Sequence, residues 1–210
     1  MDTNLSHKKG QPNNTTPPDV SSVIATLDYF HPLSEGIKNY FRKHSISCSF
    51  RKGKLLLKSG QLCDHIYFIK KGAVRGFIKE GTKDITTWIT VEGEVVSSIS
   101  SLDKREPAME NMQAIEDCEL LALAWADYQN LFTRFPEFNI VARKILQKYY
   151  QDAEGRAFIA RLTKAENKYR LFTTRYGHLA NRIPLKYIAS FLGITLETLS
   201  RVRKRLSTKK

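Results

Sequence analysis

Five glycines divide residues 47–123 into short apolar runs, and this rhythm restricts the possible folds more than any other feature of the chain. The glycines follow one another at intervals of 7, 12, 9 and 12 residues, which is typical of strands joined by turns in a β-sandwich or barrel. The pattern therefore predicts a β-domain of about 80 residues. The five glycines of this rhythm are Gly53, Gly60, Gly72, Gly81 and Gly93, and the predicted strands are 54–57, 66–69, 73–78, 85–89, 94–99 and 119–123.

The segment before the β-domain divides into a polar part and a periodic part. Residues 1–20 are polar and aperiodic, which predicts a flexible arm. Within residues 27–44, apolar side chains recur at three- and four-residue steps and predict one short helix that caps a core. The residues on its apolar face are Phe30, Leu33, Ile37, Tyr40 and Phe41.

After the β-domain, a long amphipathic helix is predicted over 136–162, with Gly155 as its weakest position. Thr163 and Glu166 then form a T-x-x-E capping box, which predicts that a new helix begins there. The apolar stripe of the long helix exceeds what one β-domain would cover, so it predicts pairing of two copies. The alternative is that the stripe covers its own β-domain. Its residues are Phe138, Val141, Ile145 and Tyr149.

The net charge of +13 is concentrated at the C-terminal end of the chain. Residues 163–210 contain twelve Lys or Arg and two Glu, a net charge of +10, whereas residues 1–162 carry +3. A basic segment attracts polyanions because each phosphate that it neutralises releases condensed counterions. A solvated basic tail would carry the same charge, but it would lack an ordered apolar pattern.

Residues 185–206 have such a pattern, because two short helical repeats of apolar residues lie on either side of a glycine. The small Ala189 lets a second helix approach closely, and Gly193 supplies the positive φ that a tight turn requires. This spacing predicts a helix-turn-helix, with an ordinary helical hairpin in a core as the alternative. The apolar positions are Ile188, Leu192, Ile194, Leu199 and Val202.

The polar face of the second helix supplies candidate DNA contacts, because a recognition helix reads base edges mainly through its N-terminal turns. Arg201 has the donors to read the O6/N7 edge of guanine, and Glu197 can accept from a cytosine amine. Basic residues further along predict phosphate contacts, which position the protein without reading sequence. The predicted base contacts are Thr195, Leu196, Glu197, Ser200 and Arg201, and the predicted phosphate contacts are Arg203, Lys204 and Arg205.

Metal, redox and catalytic functions find little support in the sequence. Cys48, Cys63 and Cys118 are widely spaced with no CxxC pair, so we expect reduced, mostly buried thiols and neither a metal site nor an iron–sulfur cluster. His65 is a lone histidine in the β-domain, too few for a metal enzyme and more typical of a strand edge than of a haem ligand. No phosphate loop, G-x-S-x-G or H-E-x-x-H occurs. We therefore expect a protein that is not an enzyme and has no bound cofactor.

Membrane insertion and secretion are also not predicted. No run approaches the roughly 18 apolar residues of a spanning helix. The polar start 1–19 lacks the apolar stretch of a signal peptide. We therefore expect a cytoplasmic protein without a membrane partner.

The whole arrangement resembles the cyclic-AMP receptor / fumarate-nitrate regulator (Crp/Fnr) family of bacterial transcription regulators. The resemblance spans about residues 27–206 and rests on K-G-K-L-L at 52–56, Gly60, Y-F-I-K-K-G-A-V-R at 67–75, the long helix and the helix-turn-helix. It implies a homodimer whose long helices pair, an effector pocket inside each β-roll, and two recognition helices in successive major grooves of a palindromic operator. It also implies RNA polymerase as a partner.

Two features depart from the family's DNA-binding pattern. Glu197 and Arg201 match its base readers, but Leu196 stands where the cyclic-AMP type has another basic reader, so the half-site should differ. Family members usually carry a β-wing after the recognition helix, whereas only 207–210 remain here. Anchoring to the DNA backbone should then rest on the basic tail.

The effector pocket departs further. A cyclic-nucleotide member carries a Gly-Glu pair for the ribose and, about ten residues later, an Arg beside a small residue for the phosphate. Counted from the neighbouring strands, the Gly-Glu position falls on Ser97-Ser98 and the Arg position near Ala108, although Arg105 follows Gly93-Glu94 at a suitable distance. A buried phosphate without an Arg would be unpaired at a cost of several kcal/mol. We therefore predict that cyclic AMP is not the effector, with Gly93, Glu94, Ser97, Ser98 and Arg105 as candidate pocket residues.

These observations predict an α+β fold with four segments. They are a flexible arm (1–20), a cyclic-nucleotide-binding-like β-roll (21–135), a dimerisation and linker helix (136–162) and a helix-turn-helix DNA-binding domain without a full wing (163–210). The predicted function is that of a homodimeric, sequence-specific transcription regulator with a sensory β-roll and an unknown effector. Two alternatives stay open, a cyclic-nucleotide-responsive regulator and a ligand-free DNA-binding or interaction scaffold.

Overall fold

The computed structural model describes residues 18–208 and confirms the α+β class, with a β-roll, one long helix and a C-terminal helical domain. Most of the predicted arm, 1–17, lies outside the described residues, as do 209–210. The helices are α1 Ser21–Phe30, α2 Glu35–His44, α3 Ile99–Lys104, α4 Trp125–Arg134, α5 Phe138–Arg161, α6 Ala165–Tyr176, α7 Leu185–Leu192 and α8 Leu196–Ser207, with a 3-10 turn at Gly177–Leu179. The strands are β1 Ile46–Phe50, β2 Leu55–Leu57, β3 His65–Lys71, β4 Val74–Glu80, β5 Lys83–Thr90, β6 Val95–Val96, β7 Asn111–Ala114 and β8 Cys118–Ala124.

The N-terminal segment forms two helices, so the prediction of a single helix was wrong. Pro32 separates α1 from α2, and His31 before it is extended at φ −163° and ψ 135°, because a proline ring disfavours the helical conformation of its predecessor. Ser34 then caps α2 by accepting a hydrogen bond from the backbone N–H of Ile37. The last residues of the predicted arm are fixed, since Val20 is buried.

Eight strands form two antiparallel four-stranded sheets, in the orders β1-β8-β3-β6 and β2-β7-β4-β5. Every predicted strand overlaps an observed one, and all five glycines of the repeat have positive φ. At Gly72 a Cβ would lie 2.6 Å from the carbonyl oxygen of Asp117, so no larger residue fits. The sequence missed β1 and β7 because I-S-C-S-F and N-M-Q-A lack apolar runs. It also extended β6 into residues that form α3.

One core joins both sheets to α1, α2 and α5. Phe41 of α2 is fully buried, and its ring centroid lies 5.9 Å from that of Phe68 on β3 and 6.3 Å from that of Phe138 on α5. Met112 on β7 closes the core from the second sheet and is also fully buried. Truncating a buried phenylalanine to alanine typically costs about 3–5 kcal/mol, so Phe41 is a major contributor to the stability of the β-roll.

The apolar stripe assigned to a dimer partner lies inside the protein instead. Phe138 and Val141 are buried, Ile145 is half-buried, and Tyr149 both accepts from the Val95 N–H at 2.7 Å and donates to its carbonyl at 3.0 Å. The prediction that this stripe is free was therefore wrong. Helix α4 and the turn before β6 cover this stripe. The periodicity of α5 alone could not predict which elements would pack against it.

The C-terminal domain packs its own core against the β-roll. Phe172, Ile188 and Leu199 are fully buried in a cluster that also contains Ala73 and Ile115 of the β-roll. The expected capping box does not form, because α6 begins only at Ala165 without a side-chain cap. The side chain of Glu166 instead pairs with Arg170 and Arg205. Among the described residues, no helix combines the length and the apolar character that crossing a membrane would require.

Candidate functional site

Helices α7 and α8 are joined by a short turn, as the sequence pattern predicted. Gly193 lies in the left-handed region at φ 62° and ψ 42°, where an L side chain is strained, and Ile194 donates its N–H to the Ala189 carbonyl at 3.0 Å. Thr195 caps α8 by accepting from the Thr198 N–H at 3.1 Å. The turn therefore fixes the angle at which α8 leaves α7.

A buried lysine that the sequence did not single out stabilises this turn. Lys168 of α6 is 9% exposed, and its Nζ donates to the carbonyl of Leu192 at 2.9 Å. A cation at a helix C-terminus satisfies an orphan carbonyl and interacts favourably with the helix dipole. Lys168 thus ties α6 to the end of α7, and only its place on the inner face of α6 could have indicated this role.

The outward face of α8 carries the predicted base-contacting residues. Leu196 is 43% exposed, and the apolar side of α8 is buried through Leu199 and Val202. The backbone and Thr195 hydrogen bonds, together with the charge of Arg201 one turn away, lower the pKa of Glu197, which therefore remains ionised. The exposed members of the predicted set are Thr195, Leu196, Glu197, Ser200, Arg201, Lys204 and Arg205.

Two of the predicted phosphate contacts have partners inside the protein. Arg203 donates to the Ala180 carbonyl at 2.9 Å and to Asn181 Oδ1 at 3.1 Å. Arg205 forms an ion pair with Glu166 of α6. Because α8 packs closely on α6 and the preceding turn, either arginine would have to leave these partners in order to contact a phosphate, and the predicted contacts stay predictions. Lys204 keeps its free ammonium within residues 18–208.

The predicted pocket residues of the β-roll do not form one binding site. Gly93 and Glu94 lie in the turn before β6, and Glu94 accepts from Lys148 of α5 at 2.6 Å. Burial by itself lowers the pKa of Lys148, but the hydrogen bond and charge of Glu94 raise it overall. Glu94 is thus committed to an ion pair with the long helix.

Arg105 points in another direction. Its guanidinium donates to the Cys63 carbonyl at 3.0 Å and to Asp64 at 2.6 Å, and lies 4.6 Å from the centroid of Trp125. Arg105 shares no described contact with Glu94. The geometry therefore gives no support to the alternative in which Glu94 binds the ribose and Arg105 the phosphate of a nucleotide.

The residues at the predicted ribose- and phosphate-binding positions are small. Ala108, near the position predicted for the phosphate-binding arginine, is 2% exposed. Ser98 is 1% exposed, and its hydroxyl has no hydrogen-bond partner among the described residues, whereas the Ser97 hydroxyl lies 3.4 Å from both Cys63 Sγ and the His65 carbonyl. Neither serine carries the charge of a ribose-binding carboxylate.

The cysteines are packing residues. Burial raises the pKa of the Cys48 and Cys118 thiols to about 11, so both are protonated at neutral pH. Cys63 is buried as well, and all three are free thiols. Within residues 18–208, no group of three His, Cys, Asp or Glu is arranged to hold a metal ion.

A network of ion pairs docks the C-terminal domain on the β-roll. Arg182 contacts Glu92 through Nη1 and Glu116 through Nη2, each at 2.6 Å. The hydrogen bonds from Arg182 lower the pKa of Glu92 to about 2. We call Arg182, Glu92 and Glu116 the interdomain ion-pair cluster.

A second contact links α7 to strands β4 and β5. Arg75 is 3% exposed, and its guanidinium lies 4.1 Å from the ring centroid of Phe77 and 4.2 Å from that of Tyr187 on α7. Ser190, also on α7, accepts from the Thr86 N–H at 2.9 Å and donates to the Asp84 carbonyl at 2.8 Å. The first helix of the predicted DNA-binding pair is therefore held by the predicted sensory domain.

Two cavities border the turn before β6. The first, of about 290 Å³, lies between α1 and α5 and is mostly apolar, with Leu27, Phe30 and Ile145 in its wall. The second, of about 270 Å³, lies between the β-roll, α5 and the C-terminal domain. Glu94, Lys148 and Tyr149 line both.

Known proteins share both the sequence pattern and the fold. A family model described as "Cyclic nucleotide-binding domain" matches residues 47–135. The chain is 28% identical over 163 residues to the cyclic AMP receptor protein of Thermus thermophilus, and the match covers 75% of each chain.

Solved structures are similar over most of the chain. The catabolite activator protein of Thermus thermophilus has a TM-score of 0.52 and 25% identity, covering 88% of this chain and 87% of that chain. FixK2 from Bradyrhizobium japonicum has a TM-score of 0.68 and 19% identity, covering 79% and 85%. At this lower identity the likeness establishes a shared fold.

Proposed function

The chain belongs to the Crp/Fnr family, and from this premise we propose that it is a sequence-specific, DNA-binding transcription regulator of the bacterial cytoplasm, active as a homodimer and not controlled by cyclic AMP. RNA polymerase and a palindromic operator are its proposed partners. The protein is proposed to act by binding and not by catalysis.

The observation that carries the proposal is the exposed N-terminal half of α8 on a rigid base. Thr195, Glu197, Ser200 and Arg201 face outward, while Leu199 on the opposite side is fully buried. A helix held in this way can enter a major groove with its first turns against the base edges. Each bidentate side-chain contact to a base is worth about 1–3 kcal/mol of discrimination.

Dimerisation is assigned to a different face of α5 from the one that the periodicity suggested. Leu146 and Tyr150 are 54% and 74% exposed, and the exposed Ala153 and Ala157 continue the stripe at steps of three and four residues. Small residues next to larger apolar ones suit the close approach of a second helix. We propose that this stripe, Leu146, Tyr150, Ala153 and Ala157, is the dimer face.

The absence of cyclic-AMP control is inferred from the side chains at the predicted ribose- and phosphate-binding positions. The buried Ala108 offers no charge to a phosphate, and the neutral Ser98 offers no carboxylate to a ribose. Arg105 is occupied by Asp64 and Trp125. An anionic ligand in such a pocket would lack the partner that offsets its desolvation.

Selection of bound sequences from a random duplex pool tests this function. We expect an enriched inverted repeat with half-sites one or more helical turns apart, because two recognition helices related by symmetry read equivalent sequences. Recovery of no motif, or of a single unpaired half-site, would contradict the proposal.

A further inference from the structure

The cavity of about 270 Å³ between the β-roll, α5 and the C-terminal domain has no part in the proposed DNA contacts, since no residue of α8 lines it. Residues 89–91 form its β-roll side, and residues of α6 and α7 form the opposite side. Pockets for drug-sized ligands usually enclose about 300–1,000 Å³. This cavity is therefore of a size for a small molecule.

Its wall carries more positive than negative charge. Lys148 faces two carboxylates, Glu94 at 2.6 Å and Asp152 at 3.4 Å, which leaves one negative charge in excess at this place. Arg156, Arg175 and His178 also line the cavity, and in the described part of the chain none of them forms an ion pair. Two guanidinium groups and an imidazole thus remain available to an anion.

Gly155 gives Arg175 its place at the cavity. A Cβ at residue 155 would lie 2.2 Å from Arg175 Nη1 and 2.9 Å from its Cζ, so a larger residue there would displace the guanidinium from its place against α5. Glycine inside a helix is unfavourable relative to alanine. Gly155, which the sequence marks as the weakest position of the helix, therefore lies in close contact with the Arg175 guanidinium.

The apolar part of the wall combines aliphatic residues with a group of aromatic rings. The rings of Phe172, Tyr176 and Phe191 contact one another, with centroids 5.7–5.8 Å apart. The Tyr176 hydroxyl is buried and has no hydrogen-bond partner of normal geometry among the described residues. Burial raises the pKa of Tyr176, and the Arg156 side chain interacts with its hydroxyl, so an anion held by Arg156 would lie beside this hydroxyl and the rings.

We propose that this interdomain cavity binds a small organic anion, with a carboxylate or phosphate group against Arg156 and Arg175 and an aromatic or hydrocarbon body against the aromatic rings. Guanidinium groups suit both kinds of oxyanion, because they donate paired hydrogen bonds in one plane.

Such a ligand favours the docked arrangement of the two domains. Its binding walls come from both, so separation of the domains removes part of the site, and a ligand shifts an equilibrium toward the state that binds it better. An effect on DNA affinity rests on the proposed function, whereas the binding itself does not. Binding without any DNA effect would thus separate the two proposals.

Calorimetric titration of the full chain tests the site with three probes, namely benzoate, phenyl phosphate and the neutral benzamide. We expect saturable binding of at least one anion at one per chain, at least tenfold tighter than benzamide, since one charge-assisted hydrogen bond accounts for about a tenfold change. Preference for benzoate would assign a carboxylate ligand, and preference for phenyl phosphate a phosphate monoester.

Matched variants locate the site. The double variant Arg156→Gln/Arg175→Gln should weaken anion binding at least tenfold, while Arg161→Gln/Arg170→Gln, which removes the same charge from the same two helices outside the cavity, should leave it unchanged. If the first variant unfolds, Val91→Phe fills the cavity from the β-roll and should abolish binding. Equal binding of benzamide, equal loss in both double variants, or no saturable heat at millimolar anion would overturn the proposal.

Discussion

Two segments of the chain differ in the ligand-binding groups that they present. They are the helix-turn-helix segment, 185–206, and the β-roll segment, 93–109. In the first segment the buried Ile188 and Leu199 hold α8 so that Arg201 faces outward. In the second segment Ser98 and Ala108 are buried and uncharged, at positions where the resemblance predicts a ribose-binding carboxylate and a phosphate-binding arginine.

The comparison shows that a fold and its ligand chemistry are separable. The core of the β-roll depends on apolar volume, which residues such as Phe41 and Met112 supply whatever the pocket contains. Binding of an anionic nucleotide depends on a few charges, and replacing those charges leaves the fold intact. The proposed DNA-reading surface and the proposed absence of nucleotide binding can therefore be tested separately.

The largest effect is expected when the dimer face is charged. Leu146→Asp/Tyr150→Asp should produce monomers of 24.1 kDa and lower operator affinity by about 100-fold or more, because two linked half-site contacts become one. Sedimentation and fluorescence anisotropy measure the two outcomes. The matched variant Gln147→Asp/Gln151→Asp, on a neighbouring exposed line of α5, should remain dimeric. A dimeric Leu146→Asp/Tyr150→Asp protein would disprove this interface.

The next effect concerns sequence preference. Arg201→Ala should lower affinity for the selected operator by about tenfold, since loss of one base contact costs about 1–3 kcal/mol, and should change affinity for random DNA much less. Lys204→Ala, one turn further on, should weaken binding to both duplexes alike. Competition titrations compare the variants. Equal losses on the two duplexes for Arg201→Ala would refute its role as a base reader.

A smaller effect is expected at the interdomain ion-pair cluster. Arg182→Gln should lower the free energy of unfolding by about 1 kcal/mol, because the cluster is partly exposed and screened. Arg161→Gln, an exposed change outside the cluster, serves as the control in parallel denaturant titrations. A loss in the control as large as that in Arg182→Gln would remove the cluster as the cause.

The same cluster predicts an acid dependence. Arg182 holds the pKa of Glu92 at about 2, below its ordinary 4.5, so the stabilisation is fully present above about pH 4.5 and is lost as the pH falls toward 2. The difference in unfolding free energy between the natural protein and Arg182→Gln should therefore shrink over this interval. A difference that stays constant would contradict the assignment to Glu92.

Local features were predictable from the sequence, and long-range contacts were not. The α7–α8 pair follows from residues within one short segment, and six of the eight strands in the described part of the chain follow from the apolar runs between glycines. The contacts of Arg182 join residues 90 and 66 positions apart, and no sequence period reports such pairs. The partners of Arg203 and the cover over Phe138 were missed for the same reason.

The dimer stripe illustrates this limit most clearly. Periodicity identified an apolar line on α5 through Phe138 and Val141, but it gave no information on which neighbour covers that line. The exposed stripe at Leu146 and Tyr150 is continued only by alanines and is weaker by pattern. Its exposure became visible only after the first stripe was packed against α4 and the β-roll.

A titration of the selected operator and a random duplex, each with and without millimolar cyclic AMP, tests the comparison between the two regions most directly. The account predicts that the operator binds about 10³-fold or more tightly than random DNA and that cyclic AMP changes neither affinity. Equal affinity for the two duplexes would contradict the reading role of α8. A saturable increase in operator affinity with cyclic AMP would contradict the loss of the nucleotide site.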